Sequence, residues 1–234
     1  MVLENVRFRV DLHRQEQREQ ELRWLTTRAE LKALRAQINP HFLFNTLSVI
    51  GGLIQCQPEL ADQTIEHLAR VFRYTLSKSE NEWSPLAEEV EFIAAYLRVE
   101  QARFGERLQV DYAVDPQAAR IPIPAMCIQP LIENAVKHGV SAVSGRGIVG
   151  LRAVLDGALL SVEVSDSGPG FPPGFTLQTP GDGHGLRNVA DRLHGYYGDS
   201  ARLSWENGPH GTRVTLLLPR SAAHPGNAPG GNLA

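Results

Sequence analysis

Residues 164–170 read Val164-Ser165-Asp166-Ser167-Gly168-Pro169-Gly170, and their reading decides the fold of the C-terminal half. An apolar run ends in one acid, and glycines follow at once. A carboxylate in that place can accept a hydrogen bond from an exocyclic amine, while the glycines let backbone approach a flat ring. Upstream, Gly147 to Leu155 and Ala158 to Ser165 are strand-like runs joined by Asp156-Gly157, a strong hairpin signal. Leu108 to Val114 alternates with period two and predicts an earlier strand, and Leu203 to Trp205 with Thr212 to Leu218 predict a last pair.

Helices punctuate these strands. The segment from about Ala125 to Gly139 predicts a helix containing Glu133-Asn134-Ala135-Val136-Lys137-His138. Asn134 and Lys137 lie three apart and are expected on one face. An amide oxygen can ligate Mg²⁺, and a lysine can meet a phosphate. Gly181-Asp182-Gly183-His184-Gly185-Leu186 then opens a helix running to about Tyr197, and a glycine-rich helix N-terminus suits anions. Gly211-Thr212 starts the last strand. Taken singly, Asn134 is more often a cap, Asp166 a turn residue and the glycines mere turns. The order and spacing of the four together are specific. Gly145 to Gly150 fits G-x-G-x-x-G, but it precedes a hairpin instead of opening a helix, so it is no dinucleotide fingerprint. No G-x-x-x-x-G-K-[ST] loop and no H-E-x-x-H motif occurs in the sequence.

The first 104 residues have a different texture, nearly all helical in pattern. Apolar residues recur at Leu22, Leu25 and Ala29, then at Leu31, Leu34 and Ile38, in steps that predict a coil leading into a bundle. Pro40 is placed to begin the next helix, with Asn39 as its cap. Apolar helical segments are expected from His41 to Gln55 and from Pro58 to about Leu76. Ser84-Pro85-Leu86-Ala87-Glu88-Glu89 predicts a cap and first turn, and that helix should run to about Arg103.

The boxes at Asn134, Asp166, Gly183/Gly185 and Thr212 resemble the N, G1, G2 and G3 boxes of the GHKL ATPases, which share the Bergerat fold. The resemblance covers roughly residues 105–220. It implies that ATP and Mg²⁺ are the cofactors. It also implies that Asn134 ligates the metal, that Lys137 contacts phosphate, and that Asp166, helped by Thr212, reads the adenine amine. Gly168 and Gly170 would shape the adenine pocket, and Gly183 and Gly185 would form a lid over the phosphates. Leu34 to Asn45, which includes Asn39-Pro40-His41-Phe42-Leu43-Phe44-Asn45, resembles the phosphoacceptor motif of LytS/YehU-type histidine kinases. So do Gln129-Pro130-Leu131-Ile132 before the N box, and Gly185-Leu186-Arg187-Asn188-Val189 with Arg192-Leu193 and Tyr197-Gly198.

That resemblance implies an α+β chain. Residues 1–30 would form a signalling helix, and 31–104 a helical dimerisation and phosphoacceptor domain. Residues 105–220 would form a Bergerat-fold α/β sandwich, with 221–234 a disordered tail. It further implies a homodimer that autophosphorylates His41 and passes the phosphate to an aspartate of a response regulator. Regulators of this family often carry a LytTR domain, so the kinase itself would not bind nucleic acid. An imidazole is a usable nucleophile near neutral pH, and Asn45, one turn on, is placed to orient it. Many histidine kinases have an acid directly after the phosphoacceptor, but here Phe42 follows His41. Glu133 is then one candidate for the base, and a structural ion pair is the other reading of it. His138 could stack near the nucleotide. The competing functions are a GHKL clamp ATPase and a nucleotide-binding scaffold that has lost transfer.

Bulk properties agree with this class. A chain of 234 residues with 42% hydrophobic residues can bury two modest cores, and a formal charge of −3 without a basic run gives no nucleic-acid footprint. Cys56 and Cys127, far apart, suit a reducing cytosol. No apolar run approaches the roughly 18 residues of a membrane span. The chain is expected to be soluble and cytoplasmic, tethered to a membrane only through an upstream sensor region if it is part of a longer protein.

Overall fold

The computed structural model describes residues 40–78, 82–143, 145–178, 184–209 and 211–220. The expected coil before Pro40, the tail after Arg220 and the lid glycine Gly183 lie outside the described residues. The chain divides into two units, Met1–Asn45 and Thr46–Ala234. In the first, the described residues are the opening turns of helix α1 (Pro40–Cys56). Proline at the first helical position costs nothing, because the amide it lacks would have no partner within the helix.

In the second unit, α1 ends at Cys56, and α2 (Pro58–Lys78) starts on another proline with Glu59 in its first turn. Ala61, Thr64, Leu68, Val71 and Thr75 are buried at alternating steps of three and four, the face of α2 that packs inward. The two threonine hydroxyls are satisfied locally, donating to Leu60 O at 2.6 Å and Val71 O at 2.9 Å. Then come β1 (Trp83–Pro85) and α3 (Leu86–Phe104), and Tyr74 of α2 stacks on Phe92 of α3 with ring centroids 4.7 Å apart.

The cap expected at Ser84 does not form. Ser84 lies in β1, which pairs antiparallel with β3 (Pro122–Pro124), and the cap position falls on Pro85. The Ser84 hydroxyl instead donates to Glu88 Oε2 at 3.0 Å. Pairing across to Ile123 outweighs a local serine cap, because it ties α3 to the sheet domain.

A mixed sheet in the order β2-β4-β5-β7-β6 follows, made of β2 (Leu108–Val114), β4 (Gly147–Asp156), β5 (Leu159–Asp166), β6 (Arg202–Gly208) and β7 (Gly211–Pro219). β2 runs parallel to β4, and the other neighbours are antiparallel. The β4–β5 turn passes through Gly157 at φ +58°, as the Asp-Gly signal predicts. Alternate residues bury one face of the sheet: Val149, Leu151 and Ala153 on β4, Leu160, Val162 and Val164 on β5, Val214, Leu216 and Leu218 on β7. The helical layer contributes Ile93 and Leu97 of α3, Leu131 and Ile132 of α4 (Gln129–Asn134), and Leu186, Val189 and Leu193 of α5 (His184–Tyr197).

The helix expected over 125–139 is shorter and changes its winding. Residues 125–128 form a turn with Met126 at φ +60°. The α-helix is only Gln129–Asn134, and Ala135–Val140 continues it as a π-helical turn. The Ser141 amide donates to Val136 O at 3.1 Å, the five-residue spacing of that winding. Among the described residues no helix is long and apolar enough to cross a membrane.

Candidate functional site

One cavity of about 260 Å³ gathers residues from five segments. Asp166 closes β5 there. Its Cα partner across the ladder is Thr212 of β7, so strand register alone sets the two side by side. Both line the cavity, together with Asn134 and His138 from the helical side and Leu186 from the first turn of α5. Pro169, Gly170, Phe171 and Phe175 enclose it from the loop after β5. Of the residues expected at the site, Asn134, His138, Asp166, Gly170, Leu186 and Thr212 line this cavity, whereas Gly168, Gly185 and Lys137 do not.

The carboxylate is held and tuned. Asp166 Oδ1 accepts the Gly168 N–H at 2.8 Å. Burial pushes its carboxyl pKa up, and the Gly168 amide pulls it partway back. Backbone crowds it so closely that side chains are excluded. A Cβ on Gly139 would lie 2.5 Å from Asp166 Cβ, and one on Gly168 would lie 2.6 Å from the His138 carbonyl oxygen. A Cβ on Gly211, at φ +137°, would overlap the Asp166 carbonyl oxygen. These close approaches, which only glycine permits, fix Asp166 in place at the edge of the cavity.

On the helical side, the π-turn alters which residues share a face. Asn134 and His138 line the cavity, whereas Lys137 is exposed and lies outside its lining. The wider winding returns residue i+4, not i+3, to Asn134's face. Gly185 brings the start of α5 against Asn134: a Cβ there would sit 3.0 Å from Asn134 Nδ2. Among the described residues no group of three or more His, Cys, Asp or Glu is arranged to hold a metal. A hard cation at Asn134 would therefore complete its shell with phosphate oxygens and water, the mode Mg²⁺ favours. Asn134 beside a helix N-terminus fits that requirement.

Glu133 lies elsewhere. It does not line the cavity; its Oε1 accepts Gln129 Nε2 at 2.7 Å, and burial raises its pKa. Glu100 of α3 is raised too, chiefly by burial, with the charge of nearby Glu133 adding to it.

In the first unit, His41 is exposed near the start of α1. Asn45 Nδ2 lies 3.2 Å from its Nε2 and 3.3 Å from its Nδ1. The expected pairing one turn on is present, and it can favour one orientation of the ring.

Sequence reading missed Glu89, which is fully buried on α3. Its Oε1 accepts the N–H groups of Ile128 at 2.6 Å and Gln129 at 3.2 Å, and Cys127 Sγ is 3.9 Å from Oε2. It caps from a distance the helix that ends in Asn134. Burial drives its pKa up to about 7 against these amides and the Arg192 charge. No sequence signal reveals this, since an acid at that position reads as an ordinary first-turn residue of its own helix. Gly139 and the apolar walls Phe171 and Phe175 were missed as well.

A glycine-cradled acid beside an amide-bearing helix and a helix N-terminus defines a class of nucleotide-site proteins. Residues 122–222 match the family described as histidine kinase-, DNA gyrase B- and HSP90-like ATPase. Residues 29–108 match the histidine kinase family, and it is to the LytS/YehU-type histidine kinases that the chain belongs. It is 39% identical over 196 residues to the sensor histidine kinase BtsS of Escherichia coli, covering 83% of this chain and 34% of that protein. It is 35% identical over 207 residues to the E. coli sensor histidine kinase YpdA, covering 86% and 36%. It is 34% identical over 199 residues to the sensor protein LytS of Staphylococcus epidermidis, covering 82% and 34%. The chain thus spans about a third of the length of these curated relatives.

Proposed function

We propose that this chain is the kinase core of a two-component sensor: it binds ATP, transfers the γ-phosphoryl group to His41, and donates the phosphate to an aspartate of a response regulator. The cavity that collects Asp166, Thr212, Asn134 and the start of α5 carries the reading. Asp166 accepts the adenine amine, with Thr212 beside it, and Gly168 and Gly170 admit the ring. Asn134 ligates Mg²⁺, which when bound neutralises charge on the phosphates. Gly185 and Gly183 belong to the lid, and Lys137 reaches the phosphates from outside the cavity. His138, on the cavity wall, packs against the nucleotide.

At His41, the unprotonated ring nitrogen attacks phosphorus, ADP leaves with the electron pair of the broken P–O bond, and the N–H proton of the other ring nitrogen passes to water. Asn45 orients the imidazole. The Gln129 hydrogen bond favours the structural reading of Glu133 over a base, and phosphoryl transfer depends mainly on positioning and charge neutralisation.

The partners proposed are a second copy of the chain and a response regulator of LytTR type. Leu47 and Ile54 on α1, and Ile65 and Leu76 on α2, are exposed apolar residues at about half of their full area, as helices that pair in a dimer would require. Where the chain is part of a longer protein, membrane tethering is proposed to come through an upstream sensor region.

Incubation with γ-labelled ATP tests the function. A kinase yields an acid-labile, base-stable label on the chain that His41→Gln abolishes. Free phosphate with little label would indicate a clamp ATPase, and nucleotide binding with neither product a scaffold.

A further inference from the structure

The loop after β5 poses a problem that the proposed function leaves open. Residues 168–178 supply one wall of the cavity, yet they belong to no strand. Pro169, Pro172 and Pro173 supply no amide donors, so the loop has little means of holding itself by backbone pairing. Ser167 ties its start to β4, its N–H donating to Ile148 O at 3.1 Å, and Phe175 N–H closes a local turn on Pro172 O at 3.1 Å; the tie to the far side of the sheet is at Phe171. The Phe171 N–H donates to Asn207 Oδ1 at 2.8 Å, and Asn207 Nδ2 donates to the Phe171 carbonyl at 2.8 Å. The carboxamide thus supplies both bonds that a neighbouring strand would have given.

Asn207 can do this because of its rung in the sheet. Its Cα partner on β7 is Thr212, and the Cα partner of Thr212 on β5 is Asp166. Three adjacent strands therefore carry Asp166, Thr212 and Asn207 on one rung, with side chains on one face. Gly170, at φ +86°, passes over the amide so closely that a Cβ would lie 2.9 Å from Asn207 Cγ. Phe171 stacks on Phe175 with centroids 4.4 Å apart, and both rings line the cavity. Trp205, two residues before Asn207 on the same strand, meets Phe171 and Phe175 edge to face at 6.2 and 5.5 Å.

We propose that Asn207 is a positioning residue for nucleotide recognition: it fixes the Phe171–Phe175 pair as the stacking wall for a planar heteroaromatic base. Asp166 selects the base by its edge, and Asn207 sets the wall against its face from the same rung. This inference rests on the nucleotide reading of the cavity above.

The test uses the full chain, with ADP titrated by calorimetry and ATP varied in the His41 labelling assay. Asn207→Ala should raise the Kd for ADP about tenfold, one decade being about 1.4 kcal/mol. The KM for ATP should rise in step, while kcat at saturating ATP stays at the wild-type value, because Asn207 touches no reacting atom. Asn207→Asp keeps the acceptor for the Phe171 amide and loses the donor to its carbonyl, so its affinity should fall between the two. It also decides the question if the alanine variant fails to fold. Wild-type ADP affinity in either folded variant, or a loss in kcat as large as that in KM, would overturn the inference. A wild-type chain that binds neither ADP nor ATP would overturn the nucleotide reading along with it.

Discussion

Replacing Gly139 with alanine should cost the chain its nucleotide while sparing its fold. The added methyl would sit 2.5 Å from Asp166 Cβ and 2.8 Å from both Cγ and Oδ1, where carbon pairs prefer about 3.5–4.0 Å. About an ångström of movement is needed. Gly139 lies within the π-turn, and the Asp166 carboxylate is tied to the Gly168 amide, so neither side yields freely. Overpacking of this kind costs about 1–3 kcal/mol, offset by about 0.5–1 kcal/mol from removing a helical glycine. The stability loss should therefore stay near 1–2 kcal/mol. Affinity should suffer more specifically, because the displaced group is the carboxylate proposed to read the base. A hydrogen bond to a charged group is worth about 1.5–3 kcal/mol, or roughly 10–150-fold in Kd. Calorimetric titration with a non-hydrolysable ATP analogue measures that loss, and it should equal the loss in Asp166→Asn. Gly195→Ala is the control. It lies in α5 with no atom within 4 Å of its Cβ position, so it should stabilise by about 0.5–1 kcal/mol and leave affinity alone. Wild-type affinity in folded Gly139→Ala would refute the claim that Asp166 reads the base from its present position.

Two other predictions concern the helix that ends in Asn134. Asn134→Asp should cripple His41 labelling with Mg²⁺·ATP while leaving the thermal midpoint within a few degrees of wild type; unchanged labelling would remove Asn134 from the metal site. Glu89 should make stability fall as pH rises, because its folded pKa of about 7 lies above the ordinary 4.5 and the native state keeps a proton that the unfolded chain releases. Its contribution is fully present below about pH 4.5 and lost as pH passes through about 7, a total of roughly 3 kcal/mol. Glu89→Gln keeps an acceptor for Ile128 and should flatten that slope in urea titrations between pH 5 and 7.5, with Tyr74, Cys127 and Arg192 as the surrounding groups.

The sheet was legible because its signals are local. Asp156-Gly157 turned where expected, and the period-two runs became β2, β4, β5 and β7, with the apolar faces of β4, β5 and β7 buried. Asp166 and Thr212 were legible for the same reason, since each marks an end of a strand. What escaped notice depends on tertiary closeness. Gly139 looks like a weak point in a helix until Asp166 is seen against it. Glu89 and Ile128 are 39 residues apart, and no local pattern joins them. His138, one turn from Asn134, was legible under either winding, but the shift to π winding at Ala135, which turns Lys137 off the cavity wall, is invisible to a rule that assumes 3.6 residues per turn.

These features share one physical cause. The cavity is proposed to hold a flat group, and around Asp166 this chain brings backbones together instead of filling space with side chains. Gly139, Gly168 and Gly211 each remove a methyl that would collide with Asp166 or the His138 carbonyl, and Gly185 one that would press on Asn134. Glycine makes such an approach possible but weakens the elements that carry it, so rigidity has to come from elsewhere. Glu89 supplies it to the Asn134 helix by capping from α3, and Asn207 supplies it to the loop after β5 by pairing from β6. The cost of the first is a buried carboxylate held out of water; the second is cheap because the amide is neutral and open to solvent. The two supports should therefore fail differently: disturbing Glu89 should change stability and its pH dependence together, whereas disturbing Asn207 should change base affinity with the fold left standing.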